Sequence, residues 1–244
     1  STLILALMVW RCVIMARRLG RQTVTYLAQK GNAARRKLER EFIPILNHAT
    51  GFHRVAHSRA RPVKPTDWKP SMNNGSEHIL FGTDSYLQIA PPSETASHGD
   101  VLDMPVIDEA FSHQNDLVEQ AVDAASVTRR SPQLYVISTA GNAKSRYLWN
   151  KVKAGRAAVK AGTTSRICYL EWGLPDDARY DDEEAWWKYL PALGHTISIQ
   201  RLRAKLEKAQ RNPDAAVDEG DADMEPGLPG FCRGYLNQWV EIPG

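Results

Sequence analysis

Two short apolar runs that end in polar residues, with a helical stretch between them, constrain this chain more than any other feature. Residues 101–107 run into Asp108-Glu109, and residues 134–138 run into Thr139-Ala140-Gly141-Asn142. Between them, residues 115–129 carry a helical pattern. A strand, a crossover helix and a second strand at this spacing give parallel neighbours, because parallel strands cannot be joined by a tight turn. Pro105 falls inside the first run and has no N–H to give a ladder, so the central ladder is expected to begin only after it.

The rest of the chain repeats the alternation. Residues 1–19 read as a buried helix, with Leu3, Leu7, Trp10 and Ile14 at helical spacing and Gly20 to end it. Residues 22–29 are β-branched and aromatic and predict a strand. A second helix is expected over 32–47, and an extended loop over 51–75, which is rich in Pro, Lys, Arg and Asn. Residues 77–81 and 86–90 flank Gly82-Thr83-Asp84-Ser85, which is a hairpin signal. A helix at 144–160 and a strand at 166–172 follow. After Pro175 the character changes: short helices at 181–189 and 198–211, an acidic Pro/Gly-rich stretch at 212–230 expected to be a mobile loop, and a last helical piece at 231–240. The whole predicts an α/β fold, a mainly parallel sheet with helices on its faces and a small helical appendage after about Pro175.

Composition narrows the class. The 244 residues are 43% hydrophobic and 24% charged, ordinary for a globular chain with a sizeable core. Three cysteines far apart in sequence argue against a disulfide framework or a zinc site and for a reducing compartment. The apolar run at 3–15 is interrupted by Arg11 and is shorter than the roughly 20 residues a bilayer span needs; it also lacks the flanks of a signal peptide. Through Lys69 the chain has 14 lysines and arginines against Glu39, Glu41 and Asp67, a surplus of 11, so with a net charge of +3 the remainder carries −8. A basic front of this kind suits a polyanion, or else is a solvated helix face.

The ends of the two apolar runs carry the chemistry. In open α/β sheets ligands bind beyond the carboxyl ends of strands. A first carboxylate there, Asp108, can hold Mg²⁺, a hard cation that takes oxygen ligands. The next, Glu109, can orient or deprotonate the water that attacks a γ-phosphate. The alternative is an ordinary strand-end turn. The hydroxyl-rich end at Ser138 and Thr139, about thirty residues on, lets a hydroxyl or backbone group approach and sense a γ-phosphate; its alternative is a plain buried strand with a Gly turn. The phosphate-cradling pattern GxxxxGK[ST] does not occur in the chain. The opening Ser1-Thr2 before an apolar helix is what would follow a Gly-Lys pair, so Ser1 is a candidate Mg²⁺ hydroxyl, with Thr2 its alternative; as an N-cap, Ser1 would need no such role.

Lower-ranking candidates are His98-Gly99, ahead of the Asp-Glu run, and Arg129 and Arg130. The arginines could act as arginine fingers toward a neighbouring subunit or form a charge cluster at a helix C-terminus. Arg59, Arg61 and Lys64 are candidates for DNA-backbone contact. Trp186-Trp187 is expected to pack the appendage.

In order and spacing, several stretches together resemble the large terminase subunits of tailed bacteriophages. They are Val24-Thr25-Tyr26-Leu27-Ala28-Gln29, Val106-Ile107-Asp108-Glu109-Ala110, Tyr135-Val136-Ile137-Ser138-Thr139-Ala140-Gly141-Asn142, Cys168-Tyr169-Leu170-Glu171-Trp172, Pro191-Ala192-Leu193-Gly194 and Tyr235-Leu236-Asn237-Gln238-Trp239. The resemblance implies an ASCE-type P-loop NTPase core over 1–174 and a helical linker subdomain over 175–244. It implies ATP and Mg²⁺ as cofactors, Asp108 at the metal and Glu109 as catalytic base. Ser138, Thr139 and Ala140 match the family's coupling motif, which links hydrolysis to DNA movement. Family members translocate double-stranded DNA as a homo-oligomeric ring on the portal of a procapsid, with a small terminase subunit, in the host cell cytoplasm and with no membrane partner. On this basis the phosphate-binding loop and the family's C-terminal nuclease domain are expected to lie outside the sequence, leaving this stretch a poor ATP binder by itself. Other readings are another additional-strand P-loop DNA-dependent ATPase of helicase-like type, or a non-catalytic DNA-binding or assembly module.

Overall fold

The computed structural model describes residues 2–28, 31–56, 60–90, 101–163, 166–214 and 225–240. They form two compact units. One comprises 1–110 with 115–137, the other 111–114 with 138–244. The division falls ahead of the composition change at Pro175.

The first unit is a mixed α/β layer structure around a seven-stranded, mostly parallel sheet flanked by helices. The strands are β1 Thr23–Leu27, β2 His53–Arg54, β3 Asp67–Ser71, β4 His78–Phe81, β5 Tyr86–Ala90, β6 Met104–Ile107 and β7 Tyr135–Val136, in the order β2-β3-β4-β5-β1-β6-β7. β1 lies between β5 and β6 and is parallel to both, and β6 is parallel to β7. The hairpin expected from Gly82 to Ser85 is present, with β4 antiparallel to β5 and to β3. All four residues of β6 are buried, as an uninterrupted apolar run between covered faces requires. Val24, Tyr26, Met104 and Val106 share one cluster with Met8, Cys12, Leu38 and Phe42, so alternate strand positions face the first two helical segments.

Several expectations are corrected. The ladder of β6 begins at Met104, not after Pro105: Pro105 stands opposite Thr25 of β1. The proline is accommodated because it sits near the strand's start, before the pairing with β7 begins at Val106. The helical run 2–19 is α1 Thr2–Trp10, a π-helical turn Arg11–Met15 and α2 Ala16–Leu19. It buries Ile4, Leu5, Met8, Val9, Cys12 and Val13, whereas Leu3, Trp10 and Ile14 of the expected stripe are exposed. The extended loop expected at 51–75 contains β2 and β3; Trp68, fully buried opposite Phe81, ties β3 to the sheet. The helix 31–48 is as expected, built from α3 Gly31–Lys37, a π-helical turn Leu38–Phe42 and α4 Ile43–His48. α5 Leu117–Ser126 fills the crossover between β6 and β7.

A buried ion cluster closes the sheet at the end where β1 and β6 begin. Asp103, 2% exposed, accepts from Thr23 N–H at 2.8 Å and from Arg129 Nε and Nη2 at 2.7 and 3.1 Å. Arg11, 1% exposed, donates to Gln22 at 2.8 Å, to Gln133 at 3.0 Å and to the Ser131 carbonyl at 2.6 Å. Burial lowers the Arg11 pKa from its ordinary value, and the nearby Asp103 charge opposes that.

The second unit is helical. It holds α6 Arg146–Lys160, α7 Glu183–Tyr189, α8 Ile199–Arg211 and α9 Gly227–Leu236. Asp182 caps α7 by accepting from Glu184 and Ala185 N–H, and Ser198 caps α8 by accepting from Arg201 N–H. Trp186, Leu202, Phe231 and Leu236 lie in its core. Of the tryptophan pair only Trp186 packs as expected; Trp187 is exposed. The helix α9 begins at Gly227, inside the stretch expected to be a loop; of that stretch, 215–224 lie outside the described residues. No strand forms among the described residues of 166–172. The segment lies along α6 instead: a Cβ added to Gly155 would collide with the Tyr169 ring. Ile167, Leu170 and Trp172 face solvent.

Arg156 of α6 anchors this segment, pairing with Glu171 at 2.7 Å and Asp176 at 2.6 Å. Burial pushes the Glu171 carboxyl up, but hydrogen bonds from Arg156 and Tyr169, with the Arg156 charge, outweigh it and hold the group below its ordinary range. A depressed carboxyl contributes stability that is complete above its unfolded-state pKa and lost as pH falls through the folded-state value. Urea midpoints between neutrality and about pH 3 should therefore fall more steeply for the native chain than for Glu171→Gln; parallel curves would remove Glu171 from the account.

Candidate active site

The candidate site begins where β6 ends. Asp108 continues the backbone pairing with β1, its N–H donating to the Leu27 carbonyl at 2.9 Å. Ile137 N–H donates to the Ile107 carbonyl at 2.9 Å, and Ala110 N–H to the Ile137 carbonyl at 3.1 Å. The Asp-Glu pair thus sits on the carboxyl edge of the parallel strands, between the ends of β1 and β7, the edge at which open α/β sheets bind ligands.

Both oxygens of the half-buried Asp108 carboxylate are engaged. Oδ1 accepts from Glu109 N–H at 2.9 Å, and Oδ2 accepts from the Tyr26 hydroxyl. Tyr26, 2% exposed, reaches it from the end of β1 and packs edge-on against Phe42 with ring centroids 5.3 Å apart. Burial, followed by the Asp108 charge, pushes the Tyr26 phenol well above its ordinary value, so it remains a proton donor. The sequence pattern places Tyr26 in a strand and assigns it no role; its position at the carboxyl end of a strand beside the Asp-Glu strand is the available signal.

Glu109 is exposed and has φ +55°. Among the described residues only Asp84 and Asn237 are further non-glycine residues with positive φ. Asp84 belongs to the hairpin turn, where such a conformation is common. A left-handed glutamate costs of order 1–2 kcal/mol and points to a position where orientation matters more than local stability. It turns the chain sharply after β6, so consecutive carboxylates leave the strand end in different surroundings.

In the second unit the hydroxyl-rich segment begins directly after Ile137. Ser138 Oγ accepts from Phe111 N–H at 2.9 Å, Thr139 is exposed, and Ala140 is buried with its N–H on Asn237 Oδ1 at 2.5 Å. A Cβ on Gly141 would collide with Ser145, so the turn that follows requires glycine. The local sequence pattern gives Asn237 no role.

The remaining candidates are dispersed. Arg129 is committed to Asp103 and to the Arg21 carbonyl, at the opposite end of β6 from Asp108; that engagement speaks for a structural role over an arginine finger. Arg130 is exposed. Arg61 pairs with Asp84 at 3.1 Å with both side chains well exposed, and Lys64 is exposed. Ser1, Arg59 and His98-Gly99 lie outside the described residues. No group of three or more His, Cys, Asp or Glu suited to a metal occurs among the described residues. No helix among them is long and apolar enough to cross a membrane.

No protein-family model matches the chain, and no curated protein matches it. Among solved structures it is similar to the large terminase of bacteriophage HK97, with 19% identity and a TM-score of 0.64 over 93% of this chain and 43% of that one. The large terminase of a thermophilic bacteriophage overlaps less: 14% identity and a TM-score of 0.40 over 57% of this chain and 31% of that one. For the same thermophilic terminase in complex with ADP the figures are 15%, 0.39, 55% and 31%. The HK97 likeness establishes a fold shared with a phage large terminase, in agreement with the resemblance of the sequence motifs. The chain spans less than half the length of the HK97 protein.

Proposed function

We propose that the chain is the ATP-hydrolysing portion of a large-terminase-type motor, in which hydrolysis drives double-stranded DNA into a phage procapsid. The observation that carries the proposal is Asp108-Glu109 at the carboxyl end of the buried parallel strand β6, with Glu109 held left-handed beyond it. The fold shared with HK97 large terminase supports it.

The residues fit a magnesium nucleotide in part. Mg²⁺ at phosphate sites usually takes one or two protein carboxylates and completes its shell with phosphate oxygens and water, so a lone Asp108 is an adequate donor. Tyr26 O–H and Glu109 N–H fix the Asp108 rotamer, which is what such a donor needs. Mg²⁺, when bound, supplies neutralisation of the charge that develops on the phosphate oxygens. Glu109 takes the proton of the attacking water, and Ser138, Thr139 and Ala140 register the γ-phosphate. Ser1, with Thr2 as its alternative, is assigned to the metal by sequence alone.

The wider assignments belong to the same proposal. These are a core over 1–174 with a linker over 175–244, a homo-oligomeric ring on the portal, a small terminase subunit as partner and action in the host cytoplasm. DNA contact is assigned to the basic front, with Arg61 and Lys64, and Arg59 by sequence alone. Of the two candidate fingers, Arg130 is kept, since Arg129 is committed to Asp103.

The test is ATP hydrolysis by the intact gene product with and without double-stranded DNA. A rate that rises severalfold with DNA is the expected result. A protein that binds DNA without hydrolysing ATP would instead be an assembly module.

A further inference from the structure

Asn237 ends α9 in a left-handed turn, φ 49° and ψ 40°, and its carboxamide bridges two backbone groups of opposite kind. Oδ1 accepts from the buried Ala140 N–H at 2.5 Å, and Nδ2 donates to the Trp172 carbonyl at 2.7 Å. A carboxamide offers an acceptor and a donor on separate atoms of one short branch; a carboxylate has no proton to give. The left-handed backbone favours asparagine over the longer glutamine.

The neighbouring residues reinforce the junction. Leu174 N–H donates to the Leu236 carbonyl at 2.9 Å, and Gln238 Nε2 donates to the carbonyls of Pro175 and Ala178 at 2.8 and 2.7 Å. A Cβ on Gly173 would collide with the Asn237 carbonyl oxygen, so the two backbones approach closely only because glycine is there. Three stretches of the second unit, 138–140, 172–178 and the end of α9, therefore meet at residues 236–238. Of these contacts, the bond from Asn237 to Ala140 alone reaches the hydroxyl-rich segment.

We propose that Asn237 is a positioning residue that fixes the Ser138–Ala140 segment to the end of α9 and to residues 172–175, so that movement of the segment on gain or loss of a γ-phosphate is passed to the helical part of this unit. The inference rests on the motor function proposed above, in which Ser138 to Ala140 sense the nucleotide. A short side chain held at both ends transmits displacement; the segment's other bonds, from Phe111 N–H to Ser138 Oγ and from the nearby Asn142 Nδ2 to Glu225 Oε1, do not run to residues 172–175. Loss of the tie therefore separates hydrolysis from its mechanical output more than it slows hydrolysis itself.

Two substitutions in the intact gene product separate the elements. Asn237→Gly keeps the left-handed turn and deletes the carboxamide; Asn237→Asp keeps the acceptor for Ala140 and deletes the donor to Trp172. Amide hydrogen exchange at Ala140 reads the tie, and the ratio of DNA-stimulated to basal ATP hydrolysis reads its consequence. Asn237→Gly should speed Ala140 exchange about tenfold and lower the ratio about fivefold, with basal hydrolysis within about twofold of native. Asn237→Asp should leave Ala140 protected and give an intermediate ratio. A folded Asn237→Gly protein with a native ratio, or one whose two rates fall together, overturns the proposal while leaving the motor function standing. If the same result is seen with Asn237→Asp where Asn237→Gly does not fold, the proposal falls equally. A native protein that hydrolyses no ATP with or without DNA ends the motor reading and this proposal together.

Discussion

Replacing Glu109 with glutamine should reduce ATP hydrolysis by at least about a hundredfold, the scale on which a positioned general base contributes. Glutamine has nearly the same shape and hydrogen-bonding reach, so the substitution removes proton acceptance with little else. The left-handed backbone adds a second, separable arm. Glycine adopts φ near +55° without the steric cost a side chain meets there, so Glu109→Gly should be about as inactive as Glu109→Gln, while its stability weighs relief of that cost against loss of the glutamate's own contacts. Hydrolysis rates and urea midpoints on the three proteins decide the matter. Native rates in Glu109→Gln would make the Asp-Glu pair an ordinary strand end. A destabilised Glu109→Gly would mean that the glutamate side chain is held by contacts that outweigh the strain.

The largest effect on stability is expected at Asp103. Its carboxylate is 2% exposed and accepts from Thr23 N–H and from two nitrogens of Arg129, joining the starts of β1 and β6 to the chain just after α5. Removing the carboxylate leaves the Thr23 N–H without its acceptor and the buried Arg11 without the opposite charge beside it, which together cost about 3–5 kcal/mol. Against a total stability of about 5–15 kcal/mol, Asp103→Ala should leave the chain marginal or unfolded at ambient temperature. Arg129→Ala should cost a comparable amount, because it leaves the buried Asp103 carboxylate with the Thr23 bond alone. The pair's own coupling follows from the double-mutant cycle. A loss below about 1 kcal/mol for Asp103→Ala would mean that apolar packing, not this cluster, joins the two strands.

The legible part of the fold was the part written in alternation and punctuation. The β4-β5 hairpin, the α6 and α8 helices and the buried β6 announced themselves through turn residues, caps and uninterrupted apolar runs. The first helix was legible as a helix but not in its orientation. Apolar residues occur all round it, so the stripe of Leu3, Trp10 and Ile14 looked as good as the face that is buried, and Arg11 inside the protein looked like an interruption. β3 was hidden because Asp67-Trp68-Lys69-Pro70-Ser71 has the composition of a loop, and only the antiparallel partner β4 makes it a strand. In the candidate site, Asp108 and Glu109 could be read from local pattern. Tyr26 beside them, and Asn237 in the second unit, could not, because their partners lie 82 and 97 residues away and the pairing exists only once the chain has folded.

The placement of β1 between β5 and β6 has a consequence for the order of assembly. β1 is made before either of its bonded neighbours, which follow much later: Gln22 bonds to Ser85 across 63 residues and Thr23 to Asp103 across 80. The antiparallel ribbon β3-β4-β5 closes locally and can form early. One edge of β1 must stay open until Ala90 has been made, and the other until the chain beyond Asp103 has been made. Sheets assembled from such distant partners form slowly, and their unpaired strands invite association with other nascent chains in the interval. The strand that carries Tyr26, beside the candidate catalytic pair, is therefore the first of the sheet to be made and is completed only when β6 has followed.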